Sequence, residues 1–142
     1  MSNRPLLHPT TGLVTFGRVP EAQSGVYRIE SGDIHLRMGK HTGPNRGFGA
    51  AHIWAEHQKE MAQRGFFAEA DVPSYVAAIV CVGTPLYFTA GDMRNTRLLA
   101  VRSATGMAVL EQHYLRDAVV VWSVVTAYSG NRKGGSLVGA VL

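Results

Sequence analysis

At 142 residues and 15.4 kDa the chain has room for one hydrophobic core and too little length for two ordinary domains, so a single domain over 1–142 is expected. An apolar share of 46% against 17% charged excludes a disordered tail or a fibrous repeat. Fourteen Lys and Arg against ten Asp and Glu leave a net charge of +4 and a pI near 9.6, which favours anionic partners; all but Lys40, Lys59 and Lys133 of these cations are arginines, the better residue for forked contact with phosphate.

From Gly12 to Met38 short apolar runs (LVTFGRV, GVYRI, IHLRM) predict two or three short strands, with a hairpin at Ser31-Gly32-Asp33. GKHTGPNRGFG, Gly39 to Gly49, with four glycines, a proline, Lys40, His41 and Arg46, reads as a loop. Ala51, Trp54, Ala55, Gln58, Met61 and Ala62 recur at three and four, predicting an amphipathic helix over Ala50–Arg64 that Gly65 closes. A second helix is expected from an N-cap at Asp71, before Pro73, through Val72, Tyr75, Val76, Ile79 and Val80 to Gly83. Within it the lone Cys81 reads as a small core residue and excludes an internal disulfide framework.

After Pro85 the period changes to two. LYFTA, TRLLAVRS, MAVLEQHYL and AVVVWSVVTAY, separated by turn residues, predict a four-stranded antiparallel meander. Short strands and two helices preceding a sheet make the expected class α+β. The tail NRKGGSLVGAVL is a basic Gly-rich loop and an apolar segment able to add an edge strand. No window reaches the roughly 18 apolar residues of a membrane span.

The densest polar cluster is GFGAAHIWAEHQKEM, Gly47 to Met61. On a helix His52 and Glu56 share a face, whereas His57 lies about 140° from His52, so a regular helix does not aim both histidines at one point. A helix starting near Gly49 places His52 in its first turn, beside free N–H groups that attract an anion. Three readings stand: locally satisfied side chains, a zinc site, or acid–base chemistry on RNA. Zinc is disfavoured by the i, i+5 spacing of HIWAEH and the missing cysteines. Imidazoles titrate near neutrality and suit proton transfer from a ribose 2′-OH without a metal. In the last strand, period two puts Val120, Trp122, Val124, Thr126 and Tyr128 on one face, an apolar row ending in two hydroxyls; a half-buried strand leaving the core explains it equally well. Arg97 alone reads as a solvated strand residue.

The order of Gly-rich basic loop, His-Ile-x-x-x-His helix, second helix, strands and terminal VVTAY resembles the barnase–EndoU–colicin–RelE superfamily of ribonucleases, in particular its phage and polymorphic-toxin branches, over Ile34 to Gly130. The resemblance implies two helices packed on a four-stranded antiparallel sheet, and cleavage without metal or cofactor to a 2′,3′-cyclic phosphate and a 5′-OH. It makes His52 the general base or acid and His57 its partner, with Lys59 among the substrate-binding residues. Thr126 and Tyr128 become the hydroxyl pair that orients the phosphate, and Arg97 the cation that stabilises it. Because a regular helix separates the two histidines, His41, between Lys40 and Arg46, is the candidate replacement. Arg132 and Lys133 join Lys40, His41 and Arg46 as substrate-binding residues, while His8 and His35 are expected to be structural and His113 falls on the third strand of the meander.

By the same analogy the substrate is RNA, with tRNA a reasonable choice, the place of action is a cytoplasm reached as part of a larger delivered protein, and a cognate acidic immunity protein or antitoxin is the partner. Two other classes stay open: an inactive RNA- or partner-binding module on this fold, and a small basic DNA-contacting protein of a phage or conjugative element. The charge is lopsided in favour of nucleic acid: Arg94 to Leu142 carries six cations against Glu111 and Asp117.

Overall fold

A computed structural model describes residues 3–89, 98–130 and 134–142. In chain order the strands and helices are β1 (Thr15–Val19), β2 (Ala22–Ser24), β3 (Tyr27–Ile29), β4 (Gly32–His35), β5 (Lys40–Gly43), β6 (Arg46–Phe48), α1 (Gly49–Gln63), α2 (Val72–Ile79), β7 (Pro85–Phe88), β8 (Leu98–Ser103), β9 (Gly106–Tyr114), β10 (Val120–Tyr128) and β11 (Ser136–Ala140). The fold is α+β, as the order of periodicities predicts. Among the described residues no helix is long and apolar enough to cross a membrane.

The sheet is larger than the expected four strands. Seven strands run in the order β1-β4-β10-β9-β8-β7-β11. Neighbours are antiparallel except β4 and β10, which pair in parallel through Trp122↔Ile34 and its flanking residues, so the sheet is mixed. The apolar tail does add an edge strand, β11 on β7.

Two of the expected turns are something else. Ser31-Gly32-Asp33 joins no hairpin, because β3 pairs back on β2 while β4 pairs with β1 and β10. Gly32 is instead a site of close approach: a Cβ there would stand 2.4 Å from the Val120 carbonyl oxygen. The Gly39–Gly49 segment is the antiparallel hairpin β5–β6.

Pro73 opens α2, where its fixed φ suits a first turn. The Asp71 carboxylate, however, accepts the N–H groups of Phe67 and Ala68, capping the turn before α2 and leaving α2 itself without a side-chain cap. Helix α2 stops at Ile79, and Cys81 beyond it is exposed, its thiol donating to the Ala77 carbonyl at 3.1 Å.

The core gathers Ile34, Leu86, Leu99, Leu110, Trp122 and Val124 from the sheet against Ile53 and Met61 of α1 and Tyr75, Val76 and Ile79 of α2. Each large apolar side chain so buried contributes about 1.5–3 kcal/mol. Trp122 is wholly buried, and its indole N–H donates to the Glu30 carbonyl at 2.9 Å, removing the cost of an unpaired donor.

One irregularity decides where the end of β10 points. Val124 faces Leu110, but the next paired residue is Thr126, opposite Val109, so a bulge at Val125 inserts one residue. Since successive residues alternate faces, Thr126 and Tyr128 (opposite Met107) lie on the face opposite to Trp122, Val124 and Ala127. The single apolar-to-hydroxyl row expected along β10 is therefore split: its apolar part enters the core, and its hydroxyls line a half-buried face with Tyr87, Arg102 and Val109.

Candidate functional site

Hairpin β5–β6 lies against the first turn of α1 with no room to spare. His41 faces Gly47 across the hairpin, and a Cβ on Gly47 (φ +139°) would stand 2.2 Å from the Lys40 carbonyl oxygen and 3.0 Å from His52 Nδ1. A glycine at this position is what lets the His52 ring seat on the hairpin. His52, only 5% exposed, thus meets His41: their Nδ1 atoms are 3.1 Å apart and their rings stack with centroids at 5.3 Å.

Two Nδ1 atoms at hydrogen-bond distance share one proton at most without repulsion, so one must accept while the other donates. Burial is the chief cause that pushes His52 below the ordinary histidine range. Glu56 opposes it, the charges of His41 and His57 add to it, and a hydrogen bond to the Arg46 main chain opposes it again. The Glu56 carboxylate accepts the backbone N–H of Asn45 at the hairpin tip, where Asn45 has φ +58°. That hydrogen bond first, and then the three imidazoles, hold the carboxylate below its usual range. Donor atoms of His41, His52 and Glu56 all lie within 4.8 Å of one another, which makes them the residues able to hold a metal ion.

One turn further along, α1 departs from helical geometry at His57 (φ −128°, ψ 19°). The angular argument for separating the histidines assumes a regular helix, and this helix is not regular. His57 sits close enough to His52 to influence its protonation, and its ring lies 5.5 Å, centroid to centroid, from that of Tyr128. His57 Nδ1 is 3.3 Å from Glu60 Oε2, which also accepts the Ser129 N–H at 3.0 Å. The Ser129 hydroxyl meets the Tyr75 hydroxyl at 2.9 Å and accepts from Arg64 Nε at 3.1 Å, tying α1, α2 and the end of β10 together. Burial, the first cause, raises the Tyr75 phenol, so it stays protonated.

Among the described residues the Tyr128 hydroxyl reaches only Met107 Sδ, at 3.8 Å, and the buried Thr126 Oγ1 and Arg102 Nε have no hydrogen-bond partner. The Arg102 guanidinium lies 3.9 Å from the Tyr87 ring centroid. Arg37 donates to Ser123 Oγ at 2.7 Å and rests 4.1 Å over the Phe48 ring; burial lowers its pKa, with Glu111 opposing.

Of the residues expected to form a site, the fold brings His41, His52, His57 and Tyr128 together, with Thr126 on the Tyr128 face. Lys40, Arg46 and Lys59 are exposed around this corner. Arg97, Arg132 and Lys133 lie outside the described residues. His8 is structural, its Nδ1 accepting the Thr10 N–H at 3.1 Å, and His113 pairs with Glu111 at 2.7 Å. Glu60, Ser129, Arg37 and Arg102 were not expected at this corner from the sequence. Glu60 had a usable signal, the i, i+3 spacing from His57.

The chain matches no protein-family model, no curated protein and no solved structure. Its chemistry is therefore read from the corner itself, which sets two unlike imidazole centres beside a phenol in a basic chain.

Proposed function

We propose that the chain is an endoribonuclease of the barnase–EndoU–colicin–RelE type that cleaves RNA, tRNA by analogy, without a metal. On this reading strands β7 to β10 are the superfamily's meander, and β1, β4 and β11 are additions to it. The observation that carries the proposal is the convergence of the His41–His52 pair and the Glu60-bound His57 beside Tyr128.

The roles follow from exposure and hydrogen bonding. His52 is buried and His41 is exposed, so the pair acts as one proton-accepting unit whose reachable end is His41. A neutral imidazole takes the proton of the ribose 2′-OH, the 2′-oxygen attacks phosphorus, and the bond from phosphorus to O5′ breaks. His57, its Nδ1 held by Glu60, gives the Nε2 proton to the departing O5′. The products are a 2′,3′-cyclic phosphate and a 5′-OH, and the two centres exchange protonation states for the next step. Tyr128, which has no strong partner among the described residues, turns its hydroxyl to a phosphate oxygen. Arg97 supplies the cation, with Thr126 behind Tyr128. Lys40, Arg46, Lys59, Arg132 and Lys133 hold the backbone of the RNA. An acidic immunity protein or antitoxin would cover the hairpin and the start of α1, and delivery within a larger protein would bring the chain to a target cytoplasm.

The test is cleavage of total tRNA in EDTA by wild type and His57→Ala, with the new ends analysed. Cyclic phosphate ends from wild type and none from the variant support the reading. RNA left whole by both sinks it, and salt-sensitive RNA binding in that case leaves the inactive binding module.

A further inference from the structure

The His41, His52 and Glu56 cluster can hold something other than a proton. Four-coordinate zinc takes nitrogen and carboxylate ligands at about 2.0–2.2 Å, which sets two nitrogens of one tetrahedron about 3.3 Å apart. The Nδ1 atoms of His41 and His52 already stand at 3.1 Å, and a Glu56 oxygen completes a triangle with no side above 4.8 Å. The i, i+4 spacing on α1 puts His52 and Glu56 on one face, and the hairpin brings His41 to them from outside the helix.

The supports around these donors are those a metal needs. Glu56 accepts the Asn45 N–H at Oε1, which holds the carboxylate at the hairpin. His52 is buried and seated against Gly47 of the hairpin. A ligand held by a second partner in this way is fixed in orientation. His41 is exposed, so the fourth position opens to water. We propose that His41, His52 and Glu56 bind one divalent transition-metal ion of the zinc class, with two imidazole nitrogens, one carboxylate oxygen and a water as its ligands.

The proposal does not depend on ribonuclease activity, but it has a consequence for it. The ion takes the same Nδ1 lone pairs that share the proton, so a loaded site cannot accept a proton from the 2′-OH, and zinc inhibits where EDTA restores.

Binding is measured directly on the untagged, chelator-treated chain, with Zn2+ followed by calorimetry and Co2+ by its visible spectrum. One ion per chain is expected, with a tetrahedral Co2+ band. His41→Ala, an exposed change that leaves the fold in place, should weaken binding at least about 100-fold and Glu56→Gln at least about 10-fold, while His113→Gln should leave it within about twofold. Loss of an outer-shell partner already costs about 10–100-fold in affinity, so loss of a ligand should cost at least as much. Absence of binding up to millimolar Zn2+, or binding that His41→Ala leaves intact, overturns the site. Metal binding with no cut RNA leaves the site standing and removes the nuclease. Cut RNA with no bound metal does the reverse.

Discussion

Two histidine centres lie a turn apart on α1 and are built on opposite plans. His52 is buried and backed by another imidazole; burial first, and after it the charges of His41 and His57, favour its neutral form against the opposing Glu56. His57 keeps 22% of its side chain exposed and pairs with the Glu60 carboxylate, 3.3 Å from its Nδ1; on the proposed mechanism that leaves Nε2 to give the proton. A partner that competes for the proton makes an acceptor or a metal ligand, and a carboxylate partner makes an oriented donor. The difference between the centres comes from tertiary contacts, since both residues sit on the same helix.

The strongest way to break this contrast is to remove its exposed half. His57→Ala is expected to lower RNA cleavage by about 10²–10⁴-fold with an unchanged melting temperature; retained cleavage would assign the proton transfer elsewhere. Gly47→Ala attacks only the other half. A Cβ there meets the Lys40 carbonyl and His52 Nδ1, so the hairpin must move off α1, at a cost of about 1–3 kcal/mol. Zinc affinity and cleavage should both fall while the His57 ring keeps its NMR shifts; a variant as stable as wild type would show that the pair does not need this close seat.

Smaller again is Glu60→Gln, which keeps the shape and removes the charge. Cleavage should drop at least about tenfold with the melting temperature held, because the imidazole loses the carboxylate paired with its Nδ1. A matching loss of stability would point to a merely structural Glu60. The smallest effect belongs to His35, a half-buried histidine outside both centres that serves as the control for burial alone. Desolvation first, and then Arg37, hold its pKa below 6.5, with Asp33 opposing. The unfolded chain therefore binds the proton more readily, so stability is complete above about pH 6.5 and declines as pH falls toward the lower folded value. Urea unfolding of His35→Gln should show a flatter dependence on pH between 6.5 and 5.

Much of the architecture was readable because it is local. The spacing of Ala51, Trp54, Gln58 and Met61 needs only a helix to make sense, and the change to period two after Pro85 needs only a strand. The bulge at Val125 was not readable, because VVVWSVV is almost entirely apolar and an inserted residue leaves no break in an all-apolar run. The β5–β6 hairpin looked like a loop because its glycines serve contact with α1, a use that composition cannot tell from flexibility. The candidate site divides along the same line. The two helix histidines stand out in sequence, whereas the meeting of His41 with His52 depends on hairpin register, and that of His57 with Tyr128 on a helix irregularity with no Gly or Pro to mark it.

The parallel pairing of β4 with β10 makes the histidine corner a late product of folding. The Trp122 indole closes on the Glu30 carbonyl from 92 residues away, and Ser129 closes on Glu60 from 69. Contacts of this range are slow to form and cannot form before the later partner is synthesised. A nascent chain still short of residue 128 holds every histidine of the corner but has neither the Tyr128 ring nor the Ser129 anchor of Glu60.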